Sequence, residues 1–468
     1  MAGFGPAGAV CANLLGRLGV RTLVVDPSLT VYDKPRAFAF DHEIMRVFQN
    51  IGVARDVLPH TAPFTPSEYY GASGQLIKRL GSVPPPYPLG WPPNVVFNQP
   101  AVEKILRERA GTWPSVKVEL GTEVEGFSAS REVEIDLGKG RTIHSKYLVG
   151  CDGAASTVRE ALGIELEDLD FDEPWLVVDL LVNERGLAKL PKVSIQYCEP
   201  ARPATYLVGP QNHRRWEIML LPGEDPRRME AKVWRLLSRW VAPEDAVLWR
   251  AASYRFHALV AKEWRRGPVF IAGDAAHQQP PFTGQGMCQG IRDVANLAWK
   301  LAAVLKGEAG PALLDSYEAE RKPHVERLTE RIKEIGRLIC ERDPAAAAAR
   351  DRRLIDEAGG KIPTVPRQDL IPPLEAGFLS PLAHPANGTL FPQPRLADGR
   401  LMDDVTGTGW RTVRKGDLPE GEGVLAAWFE RNRCGAALVR PDHYVYGVAK
   451  SAAELAAQKR SLAAGLRR

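Results

Sequence analysis

The chain has 468 residues, a quarter of them charged, and a formal net charge of only +4. That length can bury the cores of two or three domains, and so small a charge, with no block of one sign, argues against nucleic-acid binding. The six cysteines, Cys11, Cys151, Cys198, Cys288, Cys340 and Cys434, form no C-x-x-C pair, which argues against a zinc or dithiol site and fits a reducing cytoplasm. No apolar run reaches membrane-spanning length, and Met1 to Gly19 lacks the basic start of a signal peptide. A cytoplasmic protein with no metal, membrane or nucleic-acid partner is expected.

The first element is Gly3-Phe4-Gly5-Pro6-Ala7-Gly8, which matches G-x-G-x-x-G and opens a helical pattern carrying Val10, Leu14, Leu15 and Leu18. Val20 to Asp26 then reads as a strand ending in an acid. In a dinucleotide-binding fold the first glycine allows a tight turn, the second lets backbone approach a pyrophosphate, and the third permits close helix packing. The helix N-terminus meets the phosphates, and Asp26 is placed to accept from an adenosine ribose. The fingerprint should follow a strand, yet only Met1 and Ala2 precede Gly3. Either the chain is truncated at this end or the first central strand is missing, which predicts exposed neighbouring edges.

Arg36 follows in Pro35-Arg36-Ala37, as a phosphate-reaching cation or an ordinary surface arginine. Ile44, Val47, Phe48, Ile51 and Val53 predict a helix, and Val83 to Pro93 an irregular Pro-rich excursion. A helix from Gln99 to Ala110 and strands near Val116 to Leu120 and Arg131 to Leu137 precede Tyr147 to Gly153, an apolar strand ending in an Asp-Gly turn. From Trp175 to Ala258 the pattern becomes a meander: strands at Leu176 to Val182, Val193 to Tyr197, Thr205 to Val208 and Trp216 to Leu221, and a helix around Met229 to Trp240. An antiparallel second domain inserted into the first is expected. Its aromatics Tyr197, Tyr206 and Trp216 are candidates for a pocket or for core.

Val269 to Ala272 then suits a strand buried on both faces. It runs through Gly273-Asp274-Ala275-Ala276-His277 and Pro280-Pro281-Phe282-Thr283-Gly284-Gln285-Gly286-Met287 into a helix carrying Ile291, Val294, Leu297, Ala298, Leu301 and Val304. Such a loop, at the carboxyl end of a strand, is where open α/β sheets bind ligands. Leu313 to Arg342 reads as an amphipathic helix with a kink at Pro323. Residues 343–394 read as helix and linker, and residues 395–468 as a small terminal domain with strands at Ala436 to Val439 and Tyr444 to Val448.

Three motifs in this order, Gly3 to Gly8, Cys151-Asp152-Gly153-Ala154-Ala155-Ser156-Thr157-Val158-Arg159 and Gly273 to His277, resemble those of the single-component FAD-dependent aromatic hydroxylases, the para-hydroxybenzoate and phenol hydroxylase superfamily. Trp91-Pro92-Pro93-Asn94, Asn98-Gln99-Pro100, Pro280 to Cys288, Glu320-Arg321-Lys322-Pro323-His324-Val325 and Leu438 to Tyr444 are similar to the 3-(3-hydroxyphenyl)propionate hydroxylase subgroup. The resemblance covers nearly the whole chain. It departs at the first strand, at Asp26 where a glutamate is more usual, and in a short C-terminal portion.

The resemblance implies an α/β fold. A Rossmann-like FAD domain comprises residues 1–66, 93–172 and 257–342, and an inserted antiparallel-sheet substrate domain residues 67–92 and 173–256. A small, thioredoxin-like C-terminal domain without dithiol chemistry follows. It implies that Gly3, Gly5 and Gly8 hold the pyrophosphate of non-covalent FAD, Asp26 the ribose, and Arg36 the phosphate region. Gln99 contacts FAD, Asp152 with Gly153 matches the motif used for both FAD and nicotinamide nucleotide contacts, and Asp274 binds the ribityl chain. Pro281 lies beside the flavin ring, and Gly284, Gly286 and Met287 approach its pyrimidine edge, where helix N-terminal amides stabilise negative charge.

The implied reaction hydroxylates a phenolic ring with NADH or NADPH, a transient co-substrate, and O2 through a flavin C4a-hydroperoxide, on a substrate such as 3-(3-hydroxyphenyl)propionate. Many members form homodimers. Asp41, His42, Tyr197 and His257 are candidates to accept a phenolic proton, while His277 is expected to orient its loop. Two other readings stand: a tailoring oxygenase for a polycyclic aromatic, and a flavin-poor binding protein. The halogenase signature W-x-W-x-I-P is absent.

Overall fold

The computed structural model describes all residues from Met1 to Arg468. A mostly parallel sheet runs Val116–Leu120, Thr22–Asp26, Leu148–Gly150, Val269–Ile271, with Arg265–Arg266 antiparallel at the far edge. Between Thr22–Asp26 and Leu148–Gly150 the sequence predicts a gap. Met1 and Ala2 occupy that slot, with Ala2 in parallel bridges to both Val25 and Gly150. The Ala2 amide donates to Val149 at 2.9 Å and the Gly3 amide to Val25 at 2.8 Å, so the two half-sheets are joined over two residues.

The strands Leu148–Gly150 and Val269–Ile271 are buried along their length, as suits parallel strands covered on both faces. One cover is the helix Pro6–Arg17, which begins with proline at its first position, where no N–H is needed. The helix Gly286–Leu305 packs against it, burying Ile291, Val294, Leu297 and Leu301 in the same core. Gln99–Gly111 packs on the other flank of Pro6–Arg17.

The second sheet has nine strands. From one edge they are His277–Gln278, Ala246–Ala261, Leu166–Val182, His213–Met219, Ala204–Val208, Ser194–Tyr197, Ser67–Tyr70, Leu76–Gly81 and Thr364–Pro366. The strand expected at Leu176 to Val182 is much longer, Leu166–Val182 with 17 residues, and its partner Ala246–Ala261, with 16, was not expected as a strand. They pair antiparallel through two register shifts, one between Asp168 and Asp172. Their polar outer halves hide the β alternation from a short window. The last strand, Thr364–Pro366, lies in the segment expected to be linker and pairs parallel with Arg79–Gly81. The helix expected around Met229 to Trp240 is two short ones, Pro226–Glu230 and Val233–Leu237.

The two faces of this sheet differ. Trp216, Ile218, Tyr206 and Leu176 pack beneath the two short helices. The opposite face, carrying Trp175, Val177, Met219 and Phe256, meets the helix Ser316–Cys340 through Leu328, Ile332, Ile335 and Ile339. That helix continues across Pro323. The C-terminal unit is a three-stranded antiparallel sheet, Arg411–Arg414, Ala436–Val439 and Val445–Ala449, with helices Val424–Arg431 and Ala452–Leu466. Buried ion pairs fasten it to the first unit: Arg46 to Asp403 at 2.7 Å and Arg440 to Glu320 at 2.6 Å. No helix is long and apolar enough to cross a membrane.

Candidate functional site

Three sequence motifs far apart in the chain meet as bare backbone. Gly3 has φ +91°, and a Cβ there would stand 2.3 Å from the carbonyl oxygen of Cys151. A Cβ on Gly8 would stand 2.2 Å from the carbonyl of Gly3, so the helix could not approach the turn. Gly290, which the sequence reading passed over, is less tightly constrained: its Cβ would stand 3.0 Å from the Gly273 Cα. Arg159 ties the second motif to the third, donating to the carbonyls of Ala154 at 3.0 Å and Ala275 at 3.2 Å.

Gly5, Gly153 and Gly286 differ: a Cβ on any of them would meet nothing within 4 Å. All three border one cavity of about 410 Å3. One end is bounded by Gly5, Pro6, Arg36, Gln99 and Gly153, the middle by Ala272 to Asp274, and the other end by Pro281 to Gly284, Gly286 and Met287. The helices Pro6–Arg17 and Gly286–Leu305 both point their N-termini here, and neither has a side-chain cap or an acid in its first turn. Free N–H groups and the positive ends of two helix dipoles therefore face the cavity. This donor set fits a long anionic cofactor with a pyrophosphate towards Gly5 and an electron-accepting ring towards Gly286, as FAD requires.

The predicted cofactor residues divide into those that face the cavity and those that shape it. Gly5, Arg36, Gln99, Gly153, Asp274, Pro281, Gly284, Gly286 and Met287 line it, whereas Gly3, Gly8, Asp26 and Asp152 do not. Asp26 accepts from the amides of Phe4 at 2.7 Å and Ser28 at 2.8 Å, fixing the glycine turn. Asp152 accepts from Ser156 at 2.6 Å and from the Val158 amide at 3.0 Å. Gln99 accepts from the amides of Arg36 and Ala37, at 2.7 and 2.6 Å, and so holds the Arg36 loop at the rim. Arg36 is exposed and has no carboxylate partner.

Asp274 borders this cavity with its side chain exposed, and desolvation by the protein around it raises its carboxyl above the usual range despite nearby His277 and Arg36. It has no protein hydrogen-bond donor of its own and is available for ligand hydroxyls. Asp274→Ala is expected to weaken FAD binding by about 1.5–3 kcal/mol, one to two orders of magnitude. Titration of apoprotein with FAD, followed by flavin fluorescence, checks this, and an unchanged affinity would remove Asp274 from the cofactor site.

Beneath Asp274 lies a fully buried network. Asp293 accepts from the Gly273 amide at 3.0 Å, His277 Nε2 at 2.7 Å and Arg321 Nε at 2.9 Å. Burial acts to raise the Asp293 pKa, but His277 and Arg321 hold it below the usual carboxylate range. His277 thus anchors its loop and faces away from any reaction.

Of the four residues expected to handle a phenolic proton, only His257 borders the large cavity, half-buried and 3.4 Å from Asp172. Asp41 caps the helix His42–Asn50 and pairs with Arg292. Burial acts to raise its pKa, but Arg292 holds it low. Burial pushes His42 down to about 4, leaving it neutral. Both face a separate polar cavity of about 190 Å3. Tyr197 accepts from Trp240 Nε1 at 3.1 Å on the helix-covered side, and Tyr206 and Trp216 are core.

The cavity wall formed by the nine-stranded sheet carries residues that the sequence reading missed. Gln196, Thr205 and Glu217 stand in register across three neighbouring strands, and all border the cavity. The Thr205 hydroxyl donates to Gln196 Oε1 at 2.5 Å. Glu217 is 5% exposed and has no salt bridge or side-chain hydrogen bond, and burial pushes its pKa up to about 7. Opposite, Arg367 follows the unexpected strand Thr364–Pro366. Its guanidinium stacks 4.5 Å from the Phe64 ring centre and donates to the Thr283 carbonyl. It has no carboxylate partner, and burial lowers its pKa. The one sequence signal for Glu217 was an acid inside an otherwise apolar strand, Trp216 to Leu221.

The family profile described as FAD binding domain matches residues 1–332. The chain is similar to a probable NADH-specific resorcinol 4-hydroxylase of Rhodococcus jostii, 35% identical over 99% of this chain and 94% of the relative. It is also similar to a 3-(3-hydroxy-phenyl)propionate/3-hydroxycinnamic acid hydroxylase of Mycobacterium sp. (strain KMS), 36% identical over 88% of this chain and 74% of the relative. Its fold matches the crystal structure of the flavin-dependent monooxygenase PieE in complex with FAD and substrate. The TM-score there is 0.81 at 22% identity, covering 99% of this chain and 98% of the other.

Proposed function

The chain belongs to the FAD-dependent aromatic hydroxylases, and from that premise we propose that it hydroxylates a small phenol, using NADH or NADPH and O2. Two relatives of this similarity, named for resorcinol and for 3-(3-hydroxyphenyl)propionate, favour a single-ring phenol over a polycyclic substrate. The observation that carries the reading is the single cavity joining two uncapped helix N-termini and Asp274 to the Gln196–Thr205–Glu217 wall.

Bound FAD would supply the activation of dioxygen at the expense of NADH or NADPH. The chain's own residues do the rest. Gly5 and the N-terminus of Pro6–Arg17 would take the pyrophosphate, with Arg36 at the rim, and Asp274 would accept from the ribityl hydroxyls. The amides at Gly286 and Met287 would stabilise negative charge on the ring. Phe256 and Phe282, ring centres 5.9 Å apart, form an apolar wall that limits water. Arg367 is available to a phenolate or to a short carboxylate side chain.

We read residues 1–66, 93–172 and 257–342 as the FAD-binding domain and residues 67–92 and 173–256 as the substrate domain, with Thr364–Pro366 added at its edge. The C-terminal β–α–β–β–α order, with Cys434 as its one cysteine, supports a reduced thioredoxin-like module without dithiol chemistry.

A panel of phenols added to FAD-loaded protein is expected to include at least one that accelerates NADH or NADPH oxidation and yields a product heavier by one oxygen. Equal oxidation with and without every phenol would end this reading.

A further inference from the structure

We propose that Glu217 is the general base of the hydroxylation: its carboxylate takes the proton of the substrate's phenolic hydroxyl, which binds against the Gln196–Thr205–Glu217 row. This rests on the phenol reading above and adds a residue and a proton path to it.

The argument begins with alternation along His213–Met219. Trp216 and Ile218 point into the core beneath the short helices, so Arg215, Glu217 and Met219 point the other way. Arg215 and Glu217 accordingly border the cavity. Arg215 is held by Asp179 at 2.7 Å and by the carbonyls of Pro35 and Arg36, both at 2.9 Å. Glu217 has no such partner. A buried carboxyl without a donor lowers stability relative to an amide or an apolar residue, and the ligand cavity is what its oxygens face.

The charged groups nearest Glu217 are Arg215, which favours its ionised form, and Asp179, which opposes it, burial being the larger influence. Further along the walls are Arg36, Arg255, His257, Asp274 and Arg367. Of these, Arg255 and His257 are engaged by Asp172. A group that titrates near 7 is matched to accept a proton and to return it at neutral pH.

The oxygen atom comes from O2 and the two electrons from NADH or NADPH, and one proton moves between the substrate and this side chain. The phenol O–H bond breaks, the proton passes to a Glu217 oxygen, and the freed electron pair delocalises to the ring carbons ortho and para to the phenol oxygen. Those carbons become the electron-rich ones, and one of them forms the new C–O bond to an oxygen atom of O2. The C–H bond of the attacked carbon then breaks, its proton goes to the second oxygen atom of O2, which leaves as water, and Glu217 returns its own proton to the original phenol oxygen, so that the ring is aromatic again. Beside Glu217, Thr205 and Gln196 are positioning residues. Because Gln196 Oε1 is taken by Thr205, its amide N–H groups are left to face the substrate.

The test uses FAD-loaded wild type, Glu217→Gln and Glu217→Asp in single turnovers with resorcinol and with 3-(3-hydroxyphenyl)propionate across pH. In wild type, product formation is expected to rise with pH through an inflection near 7. Glu217→Gln is expected to lose that inflection and to slow product formation by about 10²–10⁴-fold, with a much smaller change in phenol Kd. Glu217→Asp should regain an ionising limb. A Glu217→Gln enzyme with the wild-type rate and pH profile overturns the proposal. So does a wild-type profile flat through neutrality, which needs no variant to fold. Wild type that makes no product from any phenol overturns the phenol reading, and the base with it. Wild type that makes product while Glu217→Gln behaves identically overturns the base alone.

Discussion

Asp293→Ala is expected to destabilise the protein by about 3–5 kcal/mol, because it leaves the Arg321 guanidinium buried without its carboxylate. The Asp293 side chain is fully buried and that of Arg321 is 1% exposed, so water cannot replace the lost partner. The same substitution removes the acceptor of the Gly273 amide and of His277, the two groups that shape the turn carrying Asp274. Flavin content should therefore fall together with stability. Denaturant unfolding of the apoprotein and FAD titration of the folded fraction measure the two effects separately. Replacing both partners, Asp293→Leu with Arg321→Leu, is expected to be less destabilising than Asp293→Ala alone, since no charge is then stranded. An Asp293→Ala protein with an unchanged unfolding midpoint would mean that the network carries no stability.

Glu320→Ala should be comparably severe and should act on a different join. Glu320 accepts from Arg440 at 2.6 Å, Lys300 at 2.8 Å and Asn296 at 2.6 Å, and Arg440 belongs to the C-terminal unit. Its loss strands Lys300 and loosens Arg440, for an expected cost of about 3–5 kcal/mol. Limited proteolysis should then release the C-terminal unit before the rest.

The pH dependence provides a second check. Burial acts to raise the Glu320 pKa, but Arg440 and Lys300 outweigh it and hold the carboxyl near 2, against an ordinary value of 4.5. A depressed carboxylate contributes its stability above 4.5 and loses it as pH falls towards 2, about 3 kcal/mol in all. His42 acts in an earlier window. Once unfolded it takes a proton near 6.5, while the folded form resists until about 4, so its loss of stability on acidification begins below 6.5. Glu320→Ala should flatten the limb below 4.5 and leave the 6.5-to-4 limb intact. A limb below 4.5 unchanged by the substitution would show that Glu320 is not its source.

The cofactor half of the site was legible in the sequence because its signals are local. Gly3, Gly5 and Gly8 form one short motif that opens a helix, and the left-handed turn at Gly3 and the close approach of Gly8 to it are set within a few residues, although Gly3 also makes room for the distant Cys151 carbonyl. Asp274 and the run Pro281 to Met287 lie between a buried strand and an amphipathic helix, both readable from periodicity. The reading of the substrate half named groups of the right chemistry whose partners lie far off in the chain. Asp41 looks like a free carboxylate until Arg292, 251 residues away, is brought against it. Tyr197 looks like a pocket phenol until Trp240 covers it.

Taken alone, the sequence determined the α/β class, the strands and helices that carry the cofactor motifs, the glycine positions and the FAD-dependent hydroxylase family, since each is set by side-chain period, backbone freedom or a short motif. Only the tertiary structure decided that Met1 and Ala2 bridge the two half-sheets and that Thr364–Pro366 extends the second sheet and brings Arg367 into the cavity. It also decided that Glu217 stands beside Thr205 and Gln196 without a partner. The physical reason is register: a strand's own residues fix which side chains share a face, but only pairing with strands distant in the chain fixes what that face meets.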